Sequence, residues 1–256
     1  MADALLTGSG MTVKRGTRTV VQDVDFEAHP GQIVGVLGPN GAGKTSLLLA
    51  LAGLLQTTGT VRLNGRDLDA YSRAERAREL AWVPQISGLR AALAVREVVA
   101  QGRFPHRGIL AAATRRDLAA VEQAMEDTGV TDLADRVYTQ LSGGEQRRVL
   151  LARALATGAR CIMMDEPTAS LDVGHALALF ALLRRMAAEG RAIVVVLHEL
   201  EYARRFTDRA LLLDAGRCAA SGPTAEIVAA DPVRAVYGVE LVEGGALGFR
   251  LPGADS

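Results

Sequence analysis

The 256 residues carry 29 basic and 29 acidic side chains, a balance that gives no whole-chain field favouring nucleic acid or an anionic membrane surface. Hydrophobic residues make up 49%, enough for one large α/β domain or a core with an inserted subdomain, yet apolar runs such as Leu47 to Leu51 and Ala176 to Leu183 are too short to cross a bilayer. The start, Met1-Ala2-Asp3-Ala4-Leu5-Leu6, lacks the basic and long apolar regions of a signal peptide, and two cysteines, Cys161 and Cys218, make no disulfide framework.

From Gly10 to about His29 polar and apolar residues alternate, which predicts antiparallel strands joined around Arg15-Gly16-Thr17. The apolar run Ile33-Val34-Gly35-Val36-Leu37 predicts a buried strand. It leads into Gly38-Pro39-Asn40-Gly41-Ala42-Gly43-Lys44-Thr45 and then a helix from Ser46 to Ala52. Strand, glycine-rich turn and helix N-terminus, in that order, form the setting of a phosphate-binding loop. Glycines let backbone amides converge on an anion, and the helix start adds unpaired N–H groups. Lys44 is placed to reach the β- and γ-phosphates, and the Thr45 hydroxyl to hold Mg²⁺. A glycine-rich turn with no ligand is the alternative; the flanking strand and helix weigh against it. A bound nucleoside triphosphate is expected.

Further along, Thr60 to Leu63 reads as a strand ending in the tight turn Asn64-Gly65, and Ala81-Trp82-Val83 as a short strand closed by Pro84-Gln85. From Ile86 to Gln140 the spacing is helical, over Val95 to Gln101, Thr114 to Thr128 and Asp132 to Ala134, with no convincing strand. Gly144 to Ala156 is a predicted helix. Cys161 to Met164 and Ala192 to Leu197 are predicted buried parallel strands, separated by a helix from Val173 to Glu189. Arg209 to Asp214 and Arg217 to Ala220 form a predicted hairpin split at Ala215-Gly216. Helical turns near Thr224 to Ala230 and Asp231 to Tyr237 precede a Gly-rich tail.

Two more clusters bear on chemistry. The strand from Cys161 delivers Asp165 and Glu166 at its carboxyl end, where ligands gather in open parallel sheets. Asp165 suits a Mg²⁺ shell and Glu166 suits polarising a water, unless both are solvated acids before the next helix. Leu141-Ser142-Gly143-Gly144-Glu145-Gln146 opens a helix and offers a second anion site, although a serine and two glycines there also make an ordinary helix cap. Two such sites with one set of magnesium ligands suggest that one copy's second site closes on a nucleotide held by another copy.

Leu141 to Gln146 resembles the signature sequence of ATP-binding cassette (ABC) ATPases, and the other family motifs follow in family order over about Leu6 to Tyr237. Gly38 to Thr45 resembles Walker A, Gln85 the Q-loop, Cys161 to Glu166 Walker B with its catalytic glutamate, Ser170-Leu171-Asp172 the D-loop, and His198 the switch histidine. The resemblance implies a P-loop NTPase (RecA-like) α/β core with an N-terminal antiparallel β-subdomain and an inserted α-helical subdomain. In these terms 1–85 and 157–239 form the core with the β-subdomain, 86–156 the helical subdomain, and 240–256 a tail of a single 1–256 nucleotide-binding domain. It further implies that two copies pair head to tail and sandwich two ATP molecules. Lys44, Thr45 and Ser46, with Gly38, Pro39, Asn40, Gly41, Ala42 and Gly43, grip ATP from one side, and Ser142, Gly143 and Gly144 from the other. Glu166 is implied as base or water-positioner and His198 as a γ-phosphate contact. Gln85 is implied as a sensor of Mg²⁺ and water, with Thr45 and Asp165 also at the metal. Arg15 falls where the family places an aromatic residue against adenine; it either stacks on the base or points to solvent.

Gly102-Arg103-Phe104-Pro105-His106 resembles a stretch of the ATPases serving iron–siderophore, haem and cobalamin uptake, and Leu197-His198-Glu199-Leu200 and Val236-Tyr237-Gly238-Val239 agree with it. Physically, Pro105-His106 also reads as a break between two helices. The resemblance implies an importer ATPase on the cytoplasmic face of the membrane, bound to permease subunits and indirectly served by an external binding protein. Leu89, Leu93, Val95 and Phe104 are expected to help line the groove for a permease helix. The alternative is a soluble ABC switch acting on a cytoplasmic assembly without transport.

Overall fold

A computed structural model describes residues 3–85, 88–89, 92–108, 111–169, 171–242 and 248–250. The chain divides into two compact units, Met1–Ala70 with Ala187–Ser256, and Tyr71–Met186. In chain order the first stretch holds strands β1 (Leu6–Arg15), β2 (Arg18–Ala28) and β3 (Ile33–Leu37), helix α1 (Lys44–Leu51), and strands β4 (Thr58–Leu63) and β5 (Arg66–Asp67). The second unit holds α2 (Arg73–Glu79), β6 (Leu80–Val83), α3 (Val95–Ala100), α4 (Phe104–Arg107), α5 (Arg115–Asp127), α6 (Gly143–Ala156), β7 (Cys161–Asp165) and α7 (Val173–Ala188). The chain then returns to the first unit with β8 (Ala192–Val196), α8 (Leu200–Phe206), β9 (Arg209–Asp214), β10 (Arg217–Pro223), α9 (Thr224–Ile227), α10 (Ala230–Tyr237), β11 (Glu240–Val242) and β12 (Gly248–Arg250).

In the first unit β1 pairs antiparallel with both β2 and β4, and its residues Leu6, Met11 and Val13 are all buried; Leu6 and Met11 are an odd number of residues apart, and a shift of register against β2 between Gly8 and Met11 separates them. β3 pairs in parallel with β8 and β9, and β9 closes on β10 through the predicted hairpin. Every residue of β3 and β8 is buried. Strands covered on both faces need no polar side, so their sequences are continuous apolar runs rather than alternating ones.

In the second unit β6 and β7 pair in parallel, Val83 beside Met164. Helix α6 is this unit's central column: Val149, Leu150, Leu151, Ala152, Ala154, Leu155 and Ala156 are all buried. Residues on so many sides of one helix are apolar because α3 and α5 also pack on it. Between Val95 and Gln140 the described residues include no named strand; Val137 makes an isolated bridge to Ala94.

Three helices escape the sequence reading; one is α4, which takes in Pro105-His106 where a break between two helices was expected. α2 buries none of its side chains, so it has no hydrophobic period to detect; it is held at its start by a capping box between Ser72 and Glu75. α8 spans two turns and buries only Leu200 and Ala203.

Candidate nucleotide site

In the first unit β3 leads directly into the glycine-rich loop. Gly38 has φ 139°, and a Cβ there would lie 2.2 Å from the Leu213 carbonyl oxygen, so only glycine lets the loop leave the sheet at this point. Its N–H donates to the Tyr237 hydroxyl at 2.9 Å. Burial pushes the Tyr237 phenol above its usual range, while that hydrogen bond from Gly38 pulls the other way. Ala42 accepts a hydrogen bond from the Gly216 N–H at 3.1 Å, fixing the middle of the loop to the β9–β10 turn.

Gly43, at φ 100°, is the N-cap of α1 and offers no side chain to the helix start. The first amides of α1 therefore have no side-chain cap, the arrangement that suits an anion at a helix start. Lys44 is buried, and its ammonium donates to the carbonyls of Gly38 and Pro39 at 2.6 and 3.0 Å. Asn40, Gly41 and Thr45 are exposed, with Ser46 and Pro39 half-buried.

His198 arrives at the same edge. β3 and β8 run parallel in register, Val36 beside Val196, and the Leu197 N–H donates to the Val36 carbonyl at 3.2 Å. Loop and histidine thus both leave carboxyl ends of neighbouring strands, where ligands collect in parallel sheets. The His198 side chain is exposed there. Arg15 ends β1 and is also exposed.

The second unit brings together Gln85, Asp165 and Glu166, which follow β6 or close β7. Asp165 is 3% exposed. Glu166 adopts φ 48°, a left-handed conformation uncommon outside glycine, and it redirects the chain sharply as it leaves the strand. The Gln85 side-chain amide donates to the Glu166 carboxylate in a short contact. Arg147, on α6, donates to the main-chain carbonyls of Gln85 at 2.9 Å and Glu166 at 3.3 Å.

At the start of α6, Ser142 is the N-cap. Its hydroxyl and N–H both donate to the Glu145 carboxylate at 2.8 Å, and the Glu145 N–H donates back at 3.4 Å. Those bonds from Ser142 hold the Glu145 carboxyl below its usual range. The capping role weighed for this serine is therefore real. Ser142 and Gly143 are nevertheless exposed, leaving the helix start open to an anion. Of the D-loop residues, Ser170 lies outside those described. Asp172 accepts from the N–H of His175 at 2.8 Å and sits 2.7 Å from its ring Nδ1, contacts that lower its pKa.

Residues 21–169 match the family described as ABC transporter. The chain belongs to the ABC transporter family. It is 43% identical over 244 residues to the hemin import ATP-binding protein of Pseudomonas entomophila, covering 93% of this chain and 94% of that protein. It is 41% identical to the cobalamin import ATP-binding protein of Halobacterium salinarum, over 92% of this chain and 59% of that longer one. Among solved structures it superposes with a TM-score of 0.83 on a metal-chelate type ABC transporter in an inward-facing conformation, at 24% identity, covering 98% of this chain and 99% of that one. A bacterial ABC transporter cassette solved as a dimer gives a TM-score of 0.76 at 26% identity, over 86% and 98% of the two chains. The fold is that of the ABC ATPase cassettes, a P-loop NTPase, and the chain is an ATP-binding, ATP-hydrolysing subunit of that family.

In this ABC ATPase the Gly102-to-His106 stretch has a structural explanation. A Cβ on Gly102 would sit 2.2 Å from the Arg153 carbonyl oxygen, so glycine allows the turn before α4 to lie against α6. Arg103 is buried, pairs with Asp117 at 2.8 Å, and donates to the carbonyls of Ala156 and Thr157 that α6 leaves unsatisfied at its end. A His106 ring nitrogen lies 2.7 Å from the Thr157 carbonyl. Pro105 stands in the first turn of α4, where its missing N–H costs nothing. Of the four apolar residues expected along a groove, Val95 is fully buried and belongs to the core; Leu89, Leu93 and Phe104 are half-exposed.

The sequence reading passed over two contacts, those of Arg147 and Tyr237. Each is a polar side chain reaching a distant main-chain atom, and no periodicity or motif spacing encodes such a reach.

Proposed function

We propose that this ABC ATPase powers uptake of a metal chelate of the haem, cobalamin or iron–siderophore class, as one of a pair of copies docked on a membrane permease and supplied by an external binding protein. The similarity to the hemin import protein across almost the full length of both chains carries this reading. Among the described residues no helix is long and apolar enough to cross a membrane, so a peripheral place on the cytoplasmic face, bound to permease subunits, is part of the proposal.

Lys44 and the amides from Gly41 to Thr45 neutralise the triphosphate, with Gly38, Pro39, Asn40 and Ser46 shaping the loop around it. Ser142, Gly143 and Gly144 meet the γ-phosphate of the nucleotide on a second copy, with the Ser142 hydroxyl exchanging Glu145 for phosphate oxygen. The exposed guanidinium of Arg15 is free in geometry to lie against the base. Thr45, Gln85 and the buried Asp165 carboxylate are hard oxygen donors, the chemistry Mg²⁺ takes alongside phosphate. The ion would offset charge on the β- and γ-phosphates. Glu166 accepts a hydrogen bond from the attacking water, Gln85 orients that carboxylate, and His198 contacts the γ-phosphate. The protein forms no covalent bond to substrate; positioning and charge compensation lower the barrier.

Detergent extraction of native membranes through a tagged copy tests the reading. A polytopic membrane protein should co-purify, and cells lacking this chain should lose uptake of one labelled chelate among haem, cobalamin and ferric siderophore. Recovery of only soluble partners, with all three uptakes intact, contradicts it.

A further inference from the structure

Arg147 makes two contacts that the proposed roles leave unused. One arm of its guanidinium donates to the Gln85 carbonyl at 2.9 Å and the other to the Glu166 carbonyl at 3.3 Å. The two carbonyls follow two different strands, and the donor stands on the helix that Ser142 caps, five residues further on, or about 7 Å along the helix axis. α6 is held rigid by its buried residues, so a displacement at Ser142 moves the base of Arg147 with it.

We propose that Arg147 is a positioning residue that clamps the Gln85 and Glu166 main chains and ties their placement to the helix carrying the Ser142 turn. The inference rests on the roles proposed above for Glu166 and Gln85. It concerns what holds those side chains in place rather than what they do.

Three observations support it. Glu166 is left-handed at φ 48°, a conformation that persists only where its surroundings fix it, and Arg147 grips its carbonyl. The planar fork of arginine can serve two carbonyls at once, whereas a lysine ammonium on a single stem cannot match that geometry. Arg147 is also half-buried, so its guanidinium has exchanged part of its hydration for these two carbonyls.

A purely structural staple would lower stability alone, so the test must separate the two. Arg147 is among the residues lining a cavity of about 400 Å³, with Leu151, Met164, Pro167 and Leu171, which leaves space beside this side chain for a small ion. Arg147→Ala should lower kcat for ATP about ten- to a hundredfold, the scale of losing hydrogen bonds to a charged donor, while KM stays within about twofold. Arg147→Lys should recover little of it. Millimolar guanidinium chloride should raise kcat of Arg147→Ala and leave the unsubstituted protein unchanged, and sodium chloride at equal ionic strength should do neither. If Arg147→Ala fails to fold, Arg147→Gln takes its place, with the same kcat loss expected.

A kcat near that of the unsubstituted protein in Arg147→Ala, or full activity in Arg147→Lys, overturns the proposal. So does a kcat loss that guanidinium does not restore and that tracks the unfolded fraction. Glu166→Gln is measured in parallel. Full turnover there refutes the role of Glu166 itself; turnover lost in Glu166→Gln but kept in Arg147→Ala refutes only the clamp.

Discussion

Tyr237→Phe removes one oxygen atom and leaves the ring in place, so it isolates the hydrogen bond between the end of α10 and the first residue of the phosphate loop. The Gly38 N–H is buried and donates to the Tyr237 hydroxyl at 2.9 Å. Leaving a buried donor unsatisfied costs about 1–3 kcal/mol. Tyr237 is half-buried, so water replaces part of the lost bond and the lower end, about 1–2 kcal/mol, applies. For a chain of this size that lowers the thermal midpoint by about 2–8 °C. The loop is anchored elsewhere by the close fit of Gly38 on Leu213 and by the Gly216 bond to Ala42, so it shifts rather than unravels. If its binding-competent fraction falls in proportion, ATP affinity drops about five- to thirtyfold. Fluorescent-nucleotide titration, with thermal unfolding at zero and saturating Mg-ATP, reads both quantities. An ATP Kd and a midpoint both unchanged in Tyr237→Phe would refute the coupling of α10 to the loop.

Two further outcomes concern the helical part of the second unit. Gly102→Ala should destabilise the protein by about 1–3 kcal/mol, because the Arg153 main chain cannot yield as a side-chain tip would; urea unfolding with an unchanged m-value checks it. Asp117 is held well below its ordinary value of 3.8, first by hydrogen bonds from Thr114 and then by Arg103. Its folded pKa is depressed, so its contribution is complete above that ordinary value and fades as pH falls toward the folded one. Asp117→Asn should therefore lower the thermal midpoint at neutral pH and show a smaller loss than the unsubstituted protein on acidification. A constant gap between the two curves from pH 7 into the acid range would count against the ion pair.

How much of this was legible in the sequence depended on what kind of contact carried each feature. Continuous apolar runs at Ile33–Leu37 and Ala192–Val196 disclosed buried parallel strands because burial on both faces leaves no room for polar residues. The phosphate loop and the Asp165-Glu166 pair were visible because their chemistry fixes residue types at fixed spacing along one stretch of chain. α2 was invisible because a helix that buries nothing has no period, and its Ser72–Glu75 box is a weak signal alone. Ser142 shows the limit most clearly. Serine, two glycines and a glutamate spell both a capping box and an anion cradle, and the structure contains the capping box. The clamp by Arg147 and the strut from Tyr237 depend on tertiary placement, across 62 and 199 residues of sequence, which no local pattern records.

The proposed mechanism requires the Ser142 end of α6 in one copy to close on nucleotide held by Lys44 in another. Light scattering on Glu166→Gln with Mg-ATP measures this directly, since the role proposed for Glu166 has that variant bind ATP without hydrolysing it. The 27.0 kDa chain should appear at about twice its mass with ATP, and Ser142→Arg in the same background should return it to monomer. A monomer of Glu166→Gln with ATP demonstrably bound, or an ATP-dependent dimer untouched by Ser142→Arg, would contradict it.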